Sequence, residues 1–332
     1  MRTLQFLALG AISSLAAAWT PSPGCQLQGL PEGQTPGSFH NATVDGRRYL
    51  VFVPPEYAIG NPAPLVLSYH GGSRSPENQR DLDLLTDPDF NTHRMVVYPE
   101  GTPRPTCESD NTCYKRYWSV DPGIDADDKS FTRDILTAMK ETYCIDTDAV
   151  HATGKSQGGG IVGSTLACDA DLAHTFAAFA PVSGSFYTDV DVCEPPYEFE
   201  IPCDPHRHDV PMLEFHGGQD TTVAYSGASR RGVCLPNIPY WVEQWAVNDG
   251  ISHEVETTPL AADTPNTYIT RYGRGRKKGL VTHVLAENIA HDWPSTRTNS
   301  DNEGAVAEFD ATPLILHFFD EHPLKKHGGC HG

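Results

Sequence analysis

Short apolar runs and longer amphipathic segments alternate along the chain, and each pattern predicts one kind of element. An apolar run that ends at Pro, Gly or polar turn residues predicts a β-strand. Eight such runs occur, at residues 47–55, 63–72, 94–101, 148–154, 175–184, 210–218, 266–273 and 279–288. The runs at 175–184 and 210–218 are apolar enough to predict strands buried in the protein core.

Helical spacing of apolar residues is clearest between residues 125 and 144. Apolar side chains recur there at every fourth position from 131 to 143, and acidic residues cluster at the start, where the helix dipole favours negative charge. Further helices are predicted directly after Ser156, over 238–250 with a stop at Gly250, and within 304–321 with a bend at Pro313.

Strands that alternate with helices predict an α/β fold with parallel strands at the centre of the sheet. The chain has no internal repeat and no low-complexity linker, so residues 19–332 are predicted to form one domain. Two segments, 101–125 and 185–209, interrupt the alternation and are rich in Pro, aromatic residues and Cys. Both follow predicted strands, so we expect them to overhang the carboxyl-terminal sheet edge, where α/β proteins form their sites.

The amino terminus predicts export from the cell. Residues 1–18 combine Arg2, an apolar run and a final stretch of alanines, which is typical of a secretory signal peptide cut after Ala18. The apolar run is too short to span a membrane. Asn41 begins an Asn-x-Thr glycosylation sequon, which agrees with a secreted, extracellular protein.

Nine cysteines also suit an oxidising compartment, in which most of them would form disulfides. Closeness in sequence suggests three pairs, namely Cys107 with Cys113, Cys193 with Cys203, and Cys144 with Cys168. Cys25 and Cys234 are further candidates. Because nine is an odd number, we expect Cys330 in the tail to be the unpaired one.

Charge and ligand spacing exclude several classes of partner. The formal net charge is −19, and so acidic a protein repels nucleic acid. No membrane partner is expected. Two short His-rich stretches, at 206–209 and 327–331, are interpreted as a loop surface and a mobile tail, so we expect no metal and no cofactor.

The segment "VHATGKSQGGG" contains the pattern Gly-x-Ser-x-Gly around Ser156. A predicted strand precedes the pattern and a predicted helix follows it, which is the setting of a nucleophile elbow. Gly154 and Gly158 leave room for the sharp turn, and the helix that follows directs N–H groups toward developing negative charge. A glycine-rich turn with no chemical role is the alternative interpretation.

A nucleophilic serine needs a base, and the base needs an acid that orients it. Asp220 follows the strand in "LEFHGGQDTTVAY", and His291 lies in the loop "NIAHDWPST", which gives the order Ser, Asp, His of this fold. His283 and His317 are poorer candidates, because they lie inside a predicted strand and a predicted helix. Asp220 would raise the pKa of His291 above its usual ~6.5, so we expect activity to fall as that imidazole is protonated.

The oxyanion of the reaction needs backbone donors. The N–H of Gln157 is one candidate, and the other is expected in "LSYHGGSRS", which resembles the His-Gly-Gly loops of esterases. Gly72 and Ser73 both remain candidates for that second donor.

Four stretches together resemble the secreted fungal feruloyl esterases: "TGKSQGGG", "FAAFAPVSGSFY", "LEFHGGQDTTVAY" and "HDWPST". More distantly they resemble the polyhydroxybutyrate depolymerases and acetyl xylan esterases of the α/β-hydrolase group. The resemblance runs from about Cys25 to the last helix, and the family's catalytic residues fall on Ser156, Asp220 and His291. It implies an α/β-hydrolase fold with disulfide-stabilised loops over the site.

The resemblance further implies hydrolysis of hydroxycinnamoyl esters on arabinoxylan or pectin of plant cell walls. A feruloyl ring needs an apolar slot with stacking faces. Five aromatic residues in the two long loops and nearby could supply it: Trp118, Tyr114, Phe186, Tyr187 and Tyr225. Two other esterase activities, on acetylxylan and on polyhydroxybutyrate, are alternatives, and so is a catalytically dead carbohydrate-binding homologue.

Overall fold

The structure is a computed structural model, and it describes residues 19–104, 115–190, 192–200 and 207–324. Several sequence predictions lie outside the described residues. They concern the signal peptide at 1–18 and the residues Cys107, Cys113, Tyr114, Cys203 and Cys330.

The main sheet of the described residues has ten strands. From one edge to the other they are β1 (Ser38–Val44), β2 (Arg47–Val53), β4 (Met95–Pro99), β3 (Ala63–Tyr69), β7 (Ile145–Lys155), β8 (Ala178–Val182), β9 (Met212–Gly217), β14 (Val281–Ala286), β13 (Thr267–Tyr272) and β12 (Val255–Pro259). Strands β4 to β14 in this order are parallel, and the two strands at each edge are antiparallel to their neighbours. The prediction of a mostly parallel central sheet is confirmed.

Two small ribbons lie outside the main sheet. They pair β5 (Thr102–Pro103) with β6 (Arg116–Tyr117), and β10 (Ala228–Arg230) with β11 (Val233–Leu235). The β10–β11 hairpin turns at Arg231 and Gly232, which both have positive φ angles, 54° and 77°. Such a two-residue turn matches the right-handed twist of a hairpin.

Six α-helices accompany the strands in the described residues. They are α1 (Pro76–Asp83), α2 (Asp128–Thr142), α3 (Gln157–Gly160), α4 (Leu172–Thr175), α5 (Ile238–Asn248) and α6 (Ala311–Glu321), with a π-helical turn at Ile161–Leu166 and short 3₁₀ turns at Pro23–Gln26 and Gly275–Lys277. The apolar period of α2 faces the core as predicted, because Phe131, Ile135 and Met139 are buried. None of the helices in the described ranges is both long and apolar enough to cross a membrane.

Two hydrophobic clusters cover the two faces of the sheet. Alternate residues of β3 point to opposite faces, so Leu65 and Leu67 join one cluster while Val66 joins the other. Helices α2 and α5 pack in the first cluster, and α6 packs in the second. The central strands are therefore buried on both sides, which explains their continuous apolar sequences.

The last helix differs from its prediction in length and shape. It begins only at Ala311, and Pro313 lies in its first turn rather than in a bend. A proline is tolerated there because the first N–H groups of a helix have no intrahelical acceptor. Residues 304–310 are not helical.

Two predicted disulfide pairings are wrong. Cys144 bonds to Cys25, not to Cys168, and Cys193 bonds to Cys234, not to Cys203. The first 3₁₀ turn is fixed beside β7, because the Ser22 N–H donates to the Ile145 carbonyl at 2.9 Å, and this brings Cys25 beside Cys144. Cys168 is also disulfide-bonded.

Candidate active site

The predicted catalytic residues lie beyond the carboxyl ends of parallel strands. Ser156 follows β7, Asp220 lies in the turn after β9, and His291 lies in the loop after β14. The loop Gly71–Gly72 follows β3. Because these strands are parallel, their carboxyl ends meet at one edge of the sheet, and the four segments come together there.

Ser156 has a strained backbone, with φ 58° and ψ −117°. This combination is essentially confined to glycine, so its occurrence at a serine indicates a conformation imposed by the surrounding fold. A Cβ atom on Gly158 would collide with the Tyr69 carbonyl, and one on Gly154 would lie 2.7 Å from the Gly158 backbone. Both glycines are therefore required for β7 to turn sharply into α3.

Asp220 and His291 are joined by a hydrogen bond of 2.6 Å between Oδ2 and Nδ1. The other carboxylate oxygen of Asp220 accepts the backbone N–H groups of Thr222 and Val223, each at 2.8 Å. Burial alone would raise the pKa of Asp220, but hydrogen bonds from His216 and His291 outweigh burial and lower it. Asp220 is thus held as a carboxylate facing the imidazole.

His291 is held neutral over a wider pH range than the sequence suggested. Burial and the neighbouring Lys155 charge lower the pKa of His291 to about 4, although Asp220 acts in the opposite direction. The expectation of a raised pKa is therefore wrong. That expectation took account of the Asp220 carboxylate, but not of the burial of His291 or of the Lys155 charge.

Lys155 ties the loop of His291 to the elbow. Its ammonium donates to the His291 carbonyl at 2.9 Å and lies 3.1 Å from Asp301 Oδ2. The Lys155 side chain is only 4 % exposed, so its charge needs this carboxylate partner.

A chain of buried polar side chains continues behind Asp220. His216 Nε2 lies 3.3 Å from Asp220 Oδ2, and its Nδ1 bonds to Glu214 at 2.8 Å. His283 Nδ1 lies 2.7 Å from the other Glu214 oxygen, and its Nε2 is 3.1 Å from the Tyr225 hydroxyl. Burial opposes a charge on His216, but Glu214 and Asp220 raise its pKa to about 10, so this imidazole is positive at neutral pH.

Of the three predicted oxyanion donors, two remain candidates in the structure. The Ser73 N–H already donates to the Arg116 carbonyl at 2.7 Å, which argues against Ser73 as an oxyanion donor. Gly72 and Gln157 remain, and both line the same cavity as Ser156. A Cβ on Gly72 would come within 2.6 Å of the Gln157 side-chain amide, so a larger residue there would displace this amide, which donates to Asp121.

Two buried side chains, Trp118 and Asp121, hold the segments that carry these donors. The Trp118 indole N–H donates to the His70 carbonyl at 2.7 Å, and His70 Nε2 accepts the Gly101 N–H at 3.0 Å. On the other side, the Gln157 amide donates to the buried Asp121 carboxylate. Asp121 also pairs with Arg231 and lies 3.5 Å from Arg104.

Ser156 and His291 both line one cavity of about 460 Å³. Of the predicted aromatic wall, Tyr114 lies outside the described residues, and the other four do not line the cavity. Trp118 and Phe186 are fully buried, and Phe186 stacks on Trp241. Tyr187 is buried beside Val223, and Tyr225 stacks on His283.

The sequence reasoning missed several residues of this site. Glu214 and His216 were visible as polar residues inside the apolar strand β9, which is the signal that could have singled them out. Lys155 and Asp301 gave no such signal, because nothing in the sequence says that this lysine is buried. The rival base His283 is instead a partner of Glu214, while His317 lies on the surface of α6 beside Glu321.

The chain is similar in sequence to known feruloyl esterases. No protein-family model matches the chain. It is 26% identical over 248 residues to feruloyl esterase B of Piromyces equi, and the aligned region covers 71% of this chain and 41% of that protein. It is 32% identical over 193 residues to feruloyl esterase D of Neurospora crassa, covering 56% of this chain and 61% of that one. The aligned parts thus span about two fifths and three fifths of these two relatives.

A solved structure shares the fold. The acetyl xylan esterase from Aspergillus awamori superposes with a TM-score of 0.55 at 16% sequence identity, over 86% of this chain and 99% of that chain. At such low identity the likeness concerns the fold alone, which is that of the α/β-hydrolase esterases. In sequence and fold, the chain fits the feruloyl esterase and acetyl xylan esterase group of α/β-hydrolases.

Proposed function

We propose that the protein is a serine carboxylesterase that hydrolyses feruloyl and related hydroxycinnamoyl esters of plant cell-wall polysaccharides. One observation carries this proposal: the strained Ser156 and His291 line the same cavity, and the His291 imidazole is hydrogen-bonded to Asp220. Similarity to feruloyl esterases supports the choice of acyl group.

The proposed reaction begins with proton transfer from Ser156. Because Nδ1 of His291 faces Asp220, Nε2 is the nitrogen that accepts the proton as Oγ attacks the ester carbonyl. The N–H groups of Gln157 and Gly72 stabilise the oxyanion. The C–O bond to the sugar then breaks, and the sugar oxygen takes the proton from His291.

Water completes the cycle. His291 removes a proton from the water as its oxygen attacks the acyl-enzyme, and the same proton returns to Ser156 as the carboxylic acid leaves. The imidazolium formed in each step is stabilised by Asp220, which His291 contacts at 2.6 Å and His216 at 3.3 Å. A positive His216 is already balanced by Glu214, its partner at 2.8 Å.

An acetyl group is the second candidate for the acyl part. The described lining of the cavity contains Leu82 but no Phe, Tyr or Trp, so a flat ring finds no stacking face among these residues. A small acyl group needs none.

Export and a single catalytic domain over 19–332, after a signal peptide at 1–18, are also part of the proposal. The disulfides Cys25–Cys144 and Cys193–Cys234 support an oxidising compartment.

The test is a panel of esters with the purified protein: methyl ferulate, methyl p-coumarate, acetylated xylan and a hydroxybutyrate oligomer. We expect the hydroxycinnamates to give the highest kcat/KM, and Ser156→Ala to lower every rate by about 10⁴-fold or more. A preference for acetylated xylan would replace the feruloyl assignment by the acetyl one. Near-normal turnover by the folded Ser156→Ala protein would overturn the proposed mechanism.

A further inference from the structure

The cavity of Ser156 differs in charge from the rest of the molecule. The chain has 43 acidic and 24 basic residues, Asp and Glu against Lys and Arg. In the described lining of the cavity, basic residues outnumber acidic ones. Asp301 is the one acidic residue of that described lining, and the five basic residues are Arg74, Lys115, Lys155, Arg230 and Arg231. A positive cavity on a strongly negative protein favours anionic ligands at that place.

Two of the five cations are committed to the protein. Lys155 is buried between Asp301 and the His291 carbonyl, so it fixes the frame of the site. Arg231 is paired with the buried Asp121 beneath Gln157. If either side chain turned toward a ligand, a buried carboxylate would lose its cationic partner, which is strongly unfavourable.

The other three cations are less compensated. Arg74 is 49 % exposed, and its carboxylate contact is Asp301 at 3.9 Å, which Lys155 already holds at 3.1 Å. Lys115 is exposed and Arg230 is partly exposed, and neither forms an ion pair with another of the described residues. These three side chains are able to exchange water for a ligand carboxylate.

The three available cations come from separate segments. Arg74 follows the Gly71–Gly72 loop, Lys115 precedes β6, and Arg230 ends β10 at the turn of the hairpin. Arg74 and Arg116 form an antiparallel backbone bridge, so Arg74 and Lys115 lie on adjoining segments, while Arg230 lies on the β10–β11 hairpin. Several positive side chains on one cavity fit a ligand with several carboxylates better than the uncharged acyl part of an ester.

We propose that the ester is carried by an acidic polysaccharide, whose uronate carboxylates near the esterified sugar pair with Arg74, Lys115 and Arg230. This inference rests on the proposed function for the reaction, but the binding of the sugar can be tested without it. It names the sugar carrier, which neither the triad nor the acyl group specifies.

The binding test uses the Ser156→Ala protein, which prevents turnover, with trigalacturonate and the neutral galactotriose as matched probes in calorimetry. At low ionic strength we expect trigalacturonate to bind at least about tenfold more tightly, from three partly exposed ion pairs. The difference should shrink to twofold or less in about 0.5 M NaCl, because salt screens such contacts.

A matched set of charge variants locates the effect. Lys115→Gln combined with Arg230→Gln should remove most of the preference for the acidic sugar. Arg276→Gln is the control, because it removes one exposed charge beyond the start of β14, at the opposite sheet edge. This control should retain the preference in full.

The outcomes separate the two proposals. Equal affinities for the two sugars, or a preference that survives in the double variant, would overturn the acidic-sugar site. If the preference is as expected but no ester of the panel is hydrolysed, the acidic-sugar site is supported and the proposed reaction fails.

Discussion

Lys155 donates a hydrogen bond from its ammonium group to the main-chain carbonyl of His291, at 2.9 Å. The residue next to the proposed nucleophile therefore holds the loop of the proposed base. It also places a positive charge close to the imidazole, and that charge is the second cause, after burial, of the low pKa of His291. Position and protonation of the base are thus coupled to a single side chain.

The pH profile of ester hydrolysis should show this coupling. A neutral His291 is required, so activity is present above its pKa and is lost as the pH falls through about 4. Lys155→Gln removes a cause that lowers this pKa and leaves Asp301 less compensated, so the acid limb of kcat/KM should move up toward 6.5. Lys278→Gln, which breaks an exposed pair with Glu256, is the control and should leave the limb in place. An unchanged limb in Lys155→Gln would contradict the assigned cause.

The strain at Ser156 predicts a difference between two inactive variants. Ser156→Ala keeps a Cβ atom at φ 58° and ψ −117°, whereas Ser156→Gly removes it. We expect the glycine variant to have a free energy of unfolding about 1–2 kcal/mol higher than the alanine variant, despite the greater entropy of its unfolded chain. Denaturant unfolding of the two proteins measures this difference. An alanine variant at least as stable as the glycine variant would mean that the elbow is not strained.

The sequence predicted the buried framework well, because burial leaves a local pattern. The runs that became β3, β8 and β9 are mostly apolar, and α2 repeats its apolar residues at helical spacing. The edge strands β1 and β12 were not predicted. Their residues are half-buried or exposed, so their sequences carry little hydrophobic signal.

The surroundings of the site could be predicted less well, because they depend on contacts between distant segments. Cys25 lies 119 residues from Cys144, and no spacing rule finds such a partner. Trp118 was expected to line the substrate pocket, but the direction of its side chain is set by the fold. It points inward to the His70 carbonyl rather than into the cavity.

The buried pair His216 and Glu214 should affect both stability and catalysis. His216→Gln leaves Glu214 with His283 as its remaining imidazole neighbour, so we expect a loss of roughly 3 kcal/mol of unfolding free energy near pH 6. The pKa of His216 is raised in the folded state, so its contribution is complete below pH 6.5 and is lost as the pH rises toward about 10. The stability difference between wild type and variant should therefore narrow over that range.

The catalytic effect of His216 is distinguishable from this loss of stability. His216 contacts Asp220 at 3.3 Å, so its removal should lower kcat with little change in KM and raise the pKa of the acid limb. Glu214→Gln combined with His216→Gln removes both buried charges and should recover part of the stability. If the double variant also recovers full kcat, His216 acts only through stability and not through the position of Asp220.

The hydrogen bond from Trp118 to the His70 carbonyl should support the adjacent Gly71–Gly72 loop, which carries a proposed oxyanion donor. Trp118→Phe removes this bond and frees the loop that carries Gly72, so we expect kcat to fall about tenfold while KM changes less. Trp245→Phe is a matched control, because Trp245 is equally buried but its indole nitrogen has no hydrogen-bond partner among the described residues. Both substitutions leave a similar cavity, so they should lower the unfolding free energy by similar amounts. Equal effects on kcat in the two variants would show that packing, and not the hydrogen bond to His70, is what the site requires of Trp118.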